Sequence, residues 1–294
     1  MSRVQARMLP DGRRLHLNDG PIDLIIGADG TAEAVALAFD AAQIRFATVL
    51  DELCAELTLL RRPVGPMPQG VIARRMWTAT TRVAGNHFIT PMAAVAGAVA
   101  DEMRDAVCAA APLTRVFVNN GGDIAFHLMA GAAYDVGLIS RPDRPSLFST
   151  ARIEAEDPVR GIATSGWRGR SFSLGIADAV TVLAESAATA DAAATLIANA
   201  VDLPGHPAVT RVPAQDLQPD SDLGSRPVTR AVGPLTRKEI AAALGSGVAF
   251  AEALIAERCI VAAALHLAGE NRMLGNTLGR LNAKGQGQEV PRLG

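Results

Sequence analysis

In the run Ala184 to Ala200, built mostly of alanine, one carboxylate and one hydroxyl stand four residues apart: Asp191 and Thr195. Side chains at i and i+4 leave a helix on the same face, so these two can offer oxygen ligands to one point, and the alanines let a ligand come close. A structural reading stands beside this one. Ser186 or Thr189 can cap the helix, an early aspartate complements its dipole, and a mid-helix threonine can bond the carbonyl four residues back.

Two glycine-bearing segments offer further chemistry. In Asn119-Asn120-Gly121-Gly122-Asp123 the paired glycines can take positive φ, so backbone N–H groups can turn into one concavity that suits a phosphate. Asn-Gly between two apolar runs is equally the signal of a β-hairpin turn. Thr164-Ser165-Gly166-Trp167-Arg168-Gly169-Arg170-Ser171 surrounds two glycines with hydroxyls and two arginines, a composition suited to a pyrophosphate or to a solvated surface turn.

The elements that must position these residues follow from periodicity. Arg3 to Met8, Arg14 to Leu17 and Ile22 to Ile26 alternate between turns at Pro10-Asp11-Gly12 and Asn18-Asp19-Gly20, which predicts an antiparallel meander. From Thr31 to about Leu60 the apolar spacing becomes helical, and Arg61-Arg62-Pro63 stops it. Residues 63 to 70 form a loop, and a second helix starts near Pro91 and runs to about Ala111, with Gly97 marking a close approach. Asp101 and Glu102 are expected on its exposed face.

Strands are expected at Arg115 to Val118, Ile124 to Leu128, Tyr134 to Ile139 and Leu147 to Ile153, with a loop over Arg141 to Pro145. A buried strand at Ala179 to Leu183 feeds the Asp191 helix. Residues 204 to 235 read as a connection with little core, followed by helices at Lys238 to Leu244 and Val248 to Glu257 and an apolar strand or helix at Cys259 to Leu267. The expectation is an α+β fold with helices on a largely antiparallel or mixed sheet, one domain over residues 1–275 and a disordered tail over 276–294.

Composition bounds the function. With 49% hydrophobic residues the chain can bury a sizeable core, and a net charge of -2 with scattered Lys and Arg argues against nucleic-acid binding. Cys54, Cys108 and Cys259 are far apart and lack zinc-ligand spacing. Reduced thiols and an N-terminus without a signal-peptide pattern lead to the expectation of a cytoplasmic protein, and no apolar stretch is read as long enough to span a membrane. His87 lies near the Gly97 helix, whereas His16, His127, His206 and His266 show no partner at ligand spacing. An alanine-rich surface could form a homodimer.

The order of these pieces resembles the ApbE superfamily, best known for its flavin transferases, and within it a compact, poorly characterised branch. The likeness runs from about Pro91 to Asn199: Val95-Ala96-Gly97, Asn-Asn-Gly-Gly-Asp at 119–123, Ala-Thr-Ser-Gly at 163–166, Val180-Thr-Val-Leu-Ala184, and Ala190-Asp191-Ala-Ala-Ala-Thr195. The resemblance implies magnesium ligated by Asp191 and Thr195, ion and ligand types that agree with hard oxygen donors. It also implies a dinucleotide, flavin adenine dinucleotide (FAD), lined by Asn120, Gly121, Gly122, Asp123, Thr164, Ser165 and Gly166, with Arg168 and Arg170 on its phosphates. Asp123 or Asp178 would position the nucleophile or accept its proton, and the flavin mononucleotide part would pass to a threonine of a protein acceptor.

The chain also departs from that pattern. Where the transferases carry lysine in an Ala-Lys-Gly turn it reads Val-Ala-Gly97, and no lysine precedes Lys238. Between Thr164-Ser165-Gly166 and the Val180 strand it lacks their longer insert with a histidine. The expectation is therefore a metal-dependent enzyme on a dinucleotide-like ligand, or alternatively a flavin- or nucleotide-binding carrier, sensor or assembly factor that has lost transfer. A metal-free enzyme using the same fold for other chemistry is a third reading.

Overall fold

Alternation of buried and exposed residues builds the first elements: β1 (Gln5–Met8), β2 (Arg14–Asp19) and β3 (Ile22–Asp29) pair antiparallel, with Leu15, Leu17, Leu24 and Ile26 pointing inward. The computed structural model describes residues 3–63, 65–139 and 147–275. The loop expected at Arg141 to Pro145 and the tail from Asn276 lie outside the described residues.

Thr31 caps α1 (Ala32–Ala55) by accepting the amide of Ala34. The helix expected to continue to Leu60 breaks at Glu56, and α2 (Leu57–Leu60) follows. The reason is visible in the side chain: the Glu56 carboxylate accepts the amides of Gln69 and Gly70 at 2.7 and 2.6 Å, at the start of α3 (Val71–Ala84). That helix is left unassigned by the sequence reading, although Ile72, Met76, Thr80 and Val83 line one buried face at helical spacing. A 3₁₀ turn at Pro91–Ala94 leads into α4 (Val95–Ala110), and β4 (Arg115–Asn120) and β5 (Asp123–Leu128) form a hairpin.

Then come β6 (Ala133–Ile139), β7 (Leu147–Glu154), β8 (Gly161–Ser165), β9 (Ala179–Ala184) and α5 (Ala187–Ala200). The segment 204–235 is not mere connection: β10 (Val209–Pro213), α6 (Ala214–Leu217) and β11 (Pro227–Val232) form a small antiparallel sheet with its own turn of helix. Its prolines sit at strand ends, where a missing N–H is tolerated, and this masked the strands in the sequence. The two expected C-terminal helices are one, α7 (Arg237–Ala256), and Cys259 to Leu267 resolves as strand β12 (Ala262–Leu267), paired with β13 (Glu270–Leu274).

The chain divides into two compact units. The first comprises Met1–Ala133, Glu154–Ala163 and Leu183–Ala192. Its strands run in the order β1-β2-β3-β4-β5-β8, and α1 and α4 pack together against them, α1 on β2 and β3 and α4 on β4 and β5. Phe46, Met103 and Val107 of the helices and Leu17, Ile26, Val116 and Val118 of the strands are all buried in this core. The second unit comprises Tyr134–Ile153, Thr164–Val182 and Ala193–Gly294, with α7 packed on β12 and β13. The architecture is α+β with antiparallel pairing, as expected.

By length and composition α7 is long and apolar enough to cross a membrane, with a mean hydropathy of 1.5. The sequence reading missed this because Gly245 and Gly247 divided the run into two. Ile240, Ala243, Leu244, Gly247, Ala251 and Leu254 are buried on its packed face.

Candidate functional site

The site of the first unit is built where α4 begins. The opening amides of a helix have no partner within it and carry the positive end of its dipole. At α4 the partner comes from another helix: Asp191 of α5 accepts the Gly97 amide on Oδ2 at 3.0 Å and also bonds the amide of Ala96. Asp101 of α4 returns the contact, accepting the opening amides of α5, Ala187 at 3.2 Å and Ala188 at 2.9 Å. Each helix is thus capped by the other's aspartate. Gly97 makes the crossing possible, since a Cβ there would lie 2.2 Å from the Ala187 carbonyl oxygen.

Asp101 is therefore buried, not on the exposed face expected for it. Two backbone amides and Arg104, 3.1 Å away, supply what solvent would have given. Its four-residue offset from Gly97, the position marked for close approach, was the signal that could have found it.

The β4–β5 turn lies at the same place. Gly121 and Gly122 have φ of 66° and 114°, and Asn120 pairs with Asp123 across them, so the segment is the hairpin turn that its sequence allowed. Asn119 Oδ1 accepts the Gly122 amide at 2.8 Å, and Asn120 donates to the Ala96 carbonyl at 3.2 Å. Ala96 is the residue whose amide meets Asp191, so Asn120 and Asp191 hold one peptide segment from two sides.

Burial pushes the Asp191 carboxyl well above the usual carboxylate range, the negative charge of Asp123 adds to this, and the Gly97 and Ala96 amides oppose it. Asp101 is raised by burial too, against the opposing effects of Arg104 and the Ala188 and Ala187 amides. A cation between Asp191 and Asp123 would turn their repulsion into attraction. A carboxylate has about four lone-pair sites, so two amides leave Asp191 able to ligate. No group of three or more His, Cys, Asp or Glu that could hold a metal occurs among the described residues. Two carboxylates suit magnesium, which keeps waters and takes substrate phosphates for the rest of its shell. Thr195, one turn on along α5, is half-buried and makes no side-chain hydrogen bond among the described residues, so the carbonyl back-bond of the structural reading is not formed. The capping half of that reading is present, with Ser186 Oγ accepting the Thr189 amide at 3.2 Å.

In the second unit Thr164 pairs with Thr181 at 2.8 Å, and Gly166, φ 153°, leaves no room for a side chain against the Asp178 and Ala177 carbonyls. Arg168 stacks 4.3 Å from the Trp167 ring centroid and binds Asp178 Oδ1 at 2.5 Å, while the other Asp178 oxygen accepts the Ala268 amide at 2.7 Å. Asp178 thus anchors the loop through both oxygens, with Arg168 held beside it. Ser165 is half-buried, and Arg170 is exposed and makes no hydrogen bond or ion pair among the described residues. His16 lies 3.2 Å from Asp23 and His206 3.0 Å from Glu239, contacts that satisfy each ring as a structural residue.

The chain belongs to the family described as AbpE bacteria, whose model matches residues 6–273, which bears out the resemblance read from the motifs. A UPF0280 protein of Methanopyrus kandleri is 43% identical over 119 residues, 40% of this chain and 46% of that protein. A UPF0280 protein of Methanococcoides burtonii is 37% identical over 129 residues, 43% of this chain and 52% of that protein. The chain thus spans about half the length of these curated relatives. Among solved structures, the apo form of the Pseudomonas stutzeri flavinyl transferase ApbE is similar with a TM-score of 0.49 and 12% identity, covering 96% of this chain and 97% of that one.

Proposed function

We propose that this protein is a magnesium-dependent, flavin-transferase-like enzyme that binds FAD and passes its flavin mononucleotide part to a protein acceptor. One observation carries the reading: half-buried Asp191, its carboxyl pushed well up by desolvation and by the charge of Asp123, accepts the Gly97 amide at the start of a helix and keeps lone pairs for a cation. Family membership and the motif positions supply the flavin and the acceptor.

Asp191, with Thr195 one turn on, would hold the metal. When bound, magnesium supplies polarisation of a phosphoryl oxygen and neutralises charge that develops on the leaving phosphate. Asp123 or Asp178 would orient the acceptor hydroxyl and take its proton. Asn120 fixes the Gly121-Gly122 turn against α4, leaving the Gly121 amide to a phosphate while Asn119 retains that of Gly122. Thr164, Ser165, Gly166 and Arg170 keep their proposed part in binding the dinucleotide.

Calorimetry of FAD into the protein with magnesium tests binding, and release of adenosine monophosphate with the flavin mononucleotide phosphoryl group bonded to a threonine hydroxyl of an added protein acceptor tests transfer. Saturable, magnesium-dependent binding with release is expected; no binding would sink the proposal. A second reading, a flavin-binding carrier, is favoured by Ala96 standing where transferases have lysine. It predicts FAD binding with no adenosine monophosphate formed.

A further inference from the structure

We infer that Asp101 is a positioning residue for the metal ligand Asp191, acting through the amides of α5. The inference rests on the reading of Asp191 as that ligand. Asp101 is buried away from a ligand, and its oxygens accept the Ala187 and Ala188 amides at 3.2 and 2.9 Å and meet Arg104 at 3.1 Å. Ala187 and Ala188 open the helix on which Asp191 stands one turn later, and Asp191 in turn holds Gly97, four residues before Asp101 on α4. The two aspartates and two helix starts therefore close a ring of hydrogen bonds. The direction of the Asp191 carboxylate is set by how α5 is seated, and Asp101 seats it. Loss of a group behind a metal ligand that fixes its direction typically costs about 10–100-fold in metal affinity.

Asp101 acts on α5 through its cap and not through its charge on Arg104. It is buried, and Arg104 also pairs with Asp105, so the arginine does not require Asp101 for charge balance. Asn at 101 would keep one acceptor and set an NH₂ against an amide N–H, loosening the seat of α5 while preserving volume.

The test is magnesium binding, read by calorimetry without FAD, in the whole protein and in Asp191→Asn, Asp101→Asn and Val107→Ala, the last a buried α4 residue outside the ring. Magnesium affinity should vanish in Asp191→Asn, fall about tenfold or more in Asp101→Asn, and stay within about twofold of the parent in Val107→Ala despite its cavity. Binding by the parent that is lost in Asp191→Asn but unchanged in Asp101→Asn overturns the positioning role and leaves the metal reading standing. No binding by the parent overturns both. Should Asp101→Asn fail to fold, hydrogen exchange in the parent decides. Magnesium must then slow exchange of the Ala187 and Ala188 amides, because coupling between two sites is reciprocal; unchanged exchange at saturating magnesium refutes the inference.

Discussion

Asp191 carries the sharpest consequences at the scale of single residues. Its carboxyl is raised in the folded protein by burial and by Asp123, so its contribution to stability is complete below about pH 4, the ordinary aspartate range. It is lost as pH rises through the raised folded value. In metal-free protein, Asp191→Asn should therefore flatten the fall of Tm above pH 4; a slope identical to the parent's would contradict the electrostatic account. Added magnesium should raise the parent's Tm and leave that of Asp191→Asn unmoved, as scanning calorimetry will show. The Asp191 and Thr195 pair was legible because small residues around two oxygen-bearing side chains stand out in a sequence. Asp101 was not, because a charged residue in an amphipathic run reads as solvated unless the amides that receive it, 86 and 87 residues away, are known. The Arg168–Asp178 pair was hidden likewise: composition names the charges but not whom they face.

Glycines decide much at the scale of elements, and they do so in opposite directions. A Cβ at Gly97 would meet the Ala187 backbone at 2.2 Å, where nothing flexible can yield, so Gly97→Ala should destabilise by about 3 kcal/mol or more in urea denaturation. In α7, a Cβ at Gly247 would lie 2.3 Å from Val201 Cγ2, whereas at Gly245 nothing stands within 4 Å. Gly245→Ala should then stabilise by about 1 kcal/mol through helix propensity, and Gly247→Ala should destabilise; the reverse order would refute the packing assignment. Reading both glycines as punctuation split α7 in the sequence, because propensity says nothing of a neighbour that needs the space. The meander, α1 and the β4–β5 hairpin were legible since each is a local pattern. Strands β10 and β11 were not, since prolines at their ends resemble a loop until the partner strand is seen.

For the whole molecule, the division into units runs through β8, β9 and α5 and not between elements. Unfolding one unit would fray the elements it shares with the other at the division, so the units should unfold together. The chain's two tryptophans report on this separately, Trp77 from the first unit and Trp167 from the second. Single-tryptophan variants, Trp77→Phe and Trp167→Phe, should give the same urea midpoint after correction for each substitution's own effect; two separated midpoints would show independent units. Fold class was legible at this scale from the alternation of meander, helices and strands. The interleaving was not, because no linker composition marks a boundary that falls within an element.

The exchange of caps between α4 and α5 also constrains protein engineering. A chimaera that imports one of these helices from a relative without the other carries half of a matched set, leaving a buried acid facing whichever amides the foreign helix happens to present. Grafts that move Val95–Ala110 and Ala187–Ala200 as a unit keep every donor with its acceptor, and are the exchanges this architecture can accept.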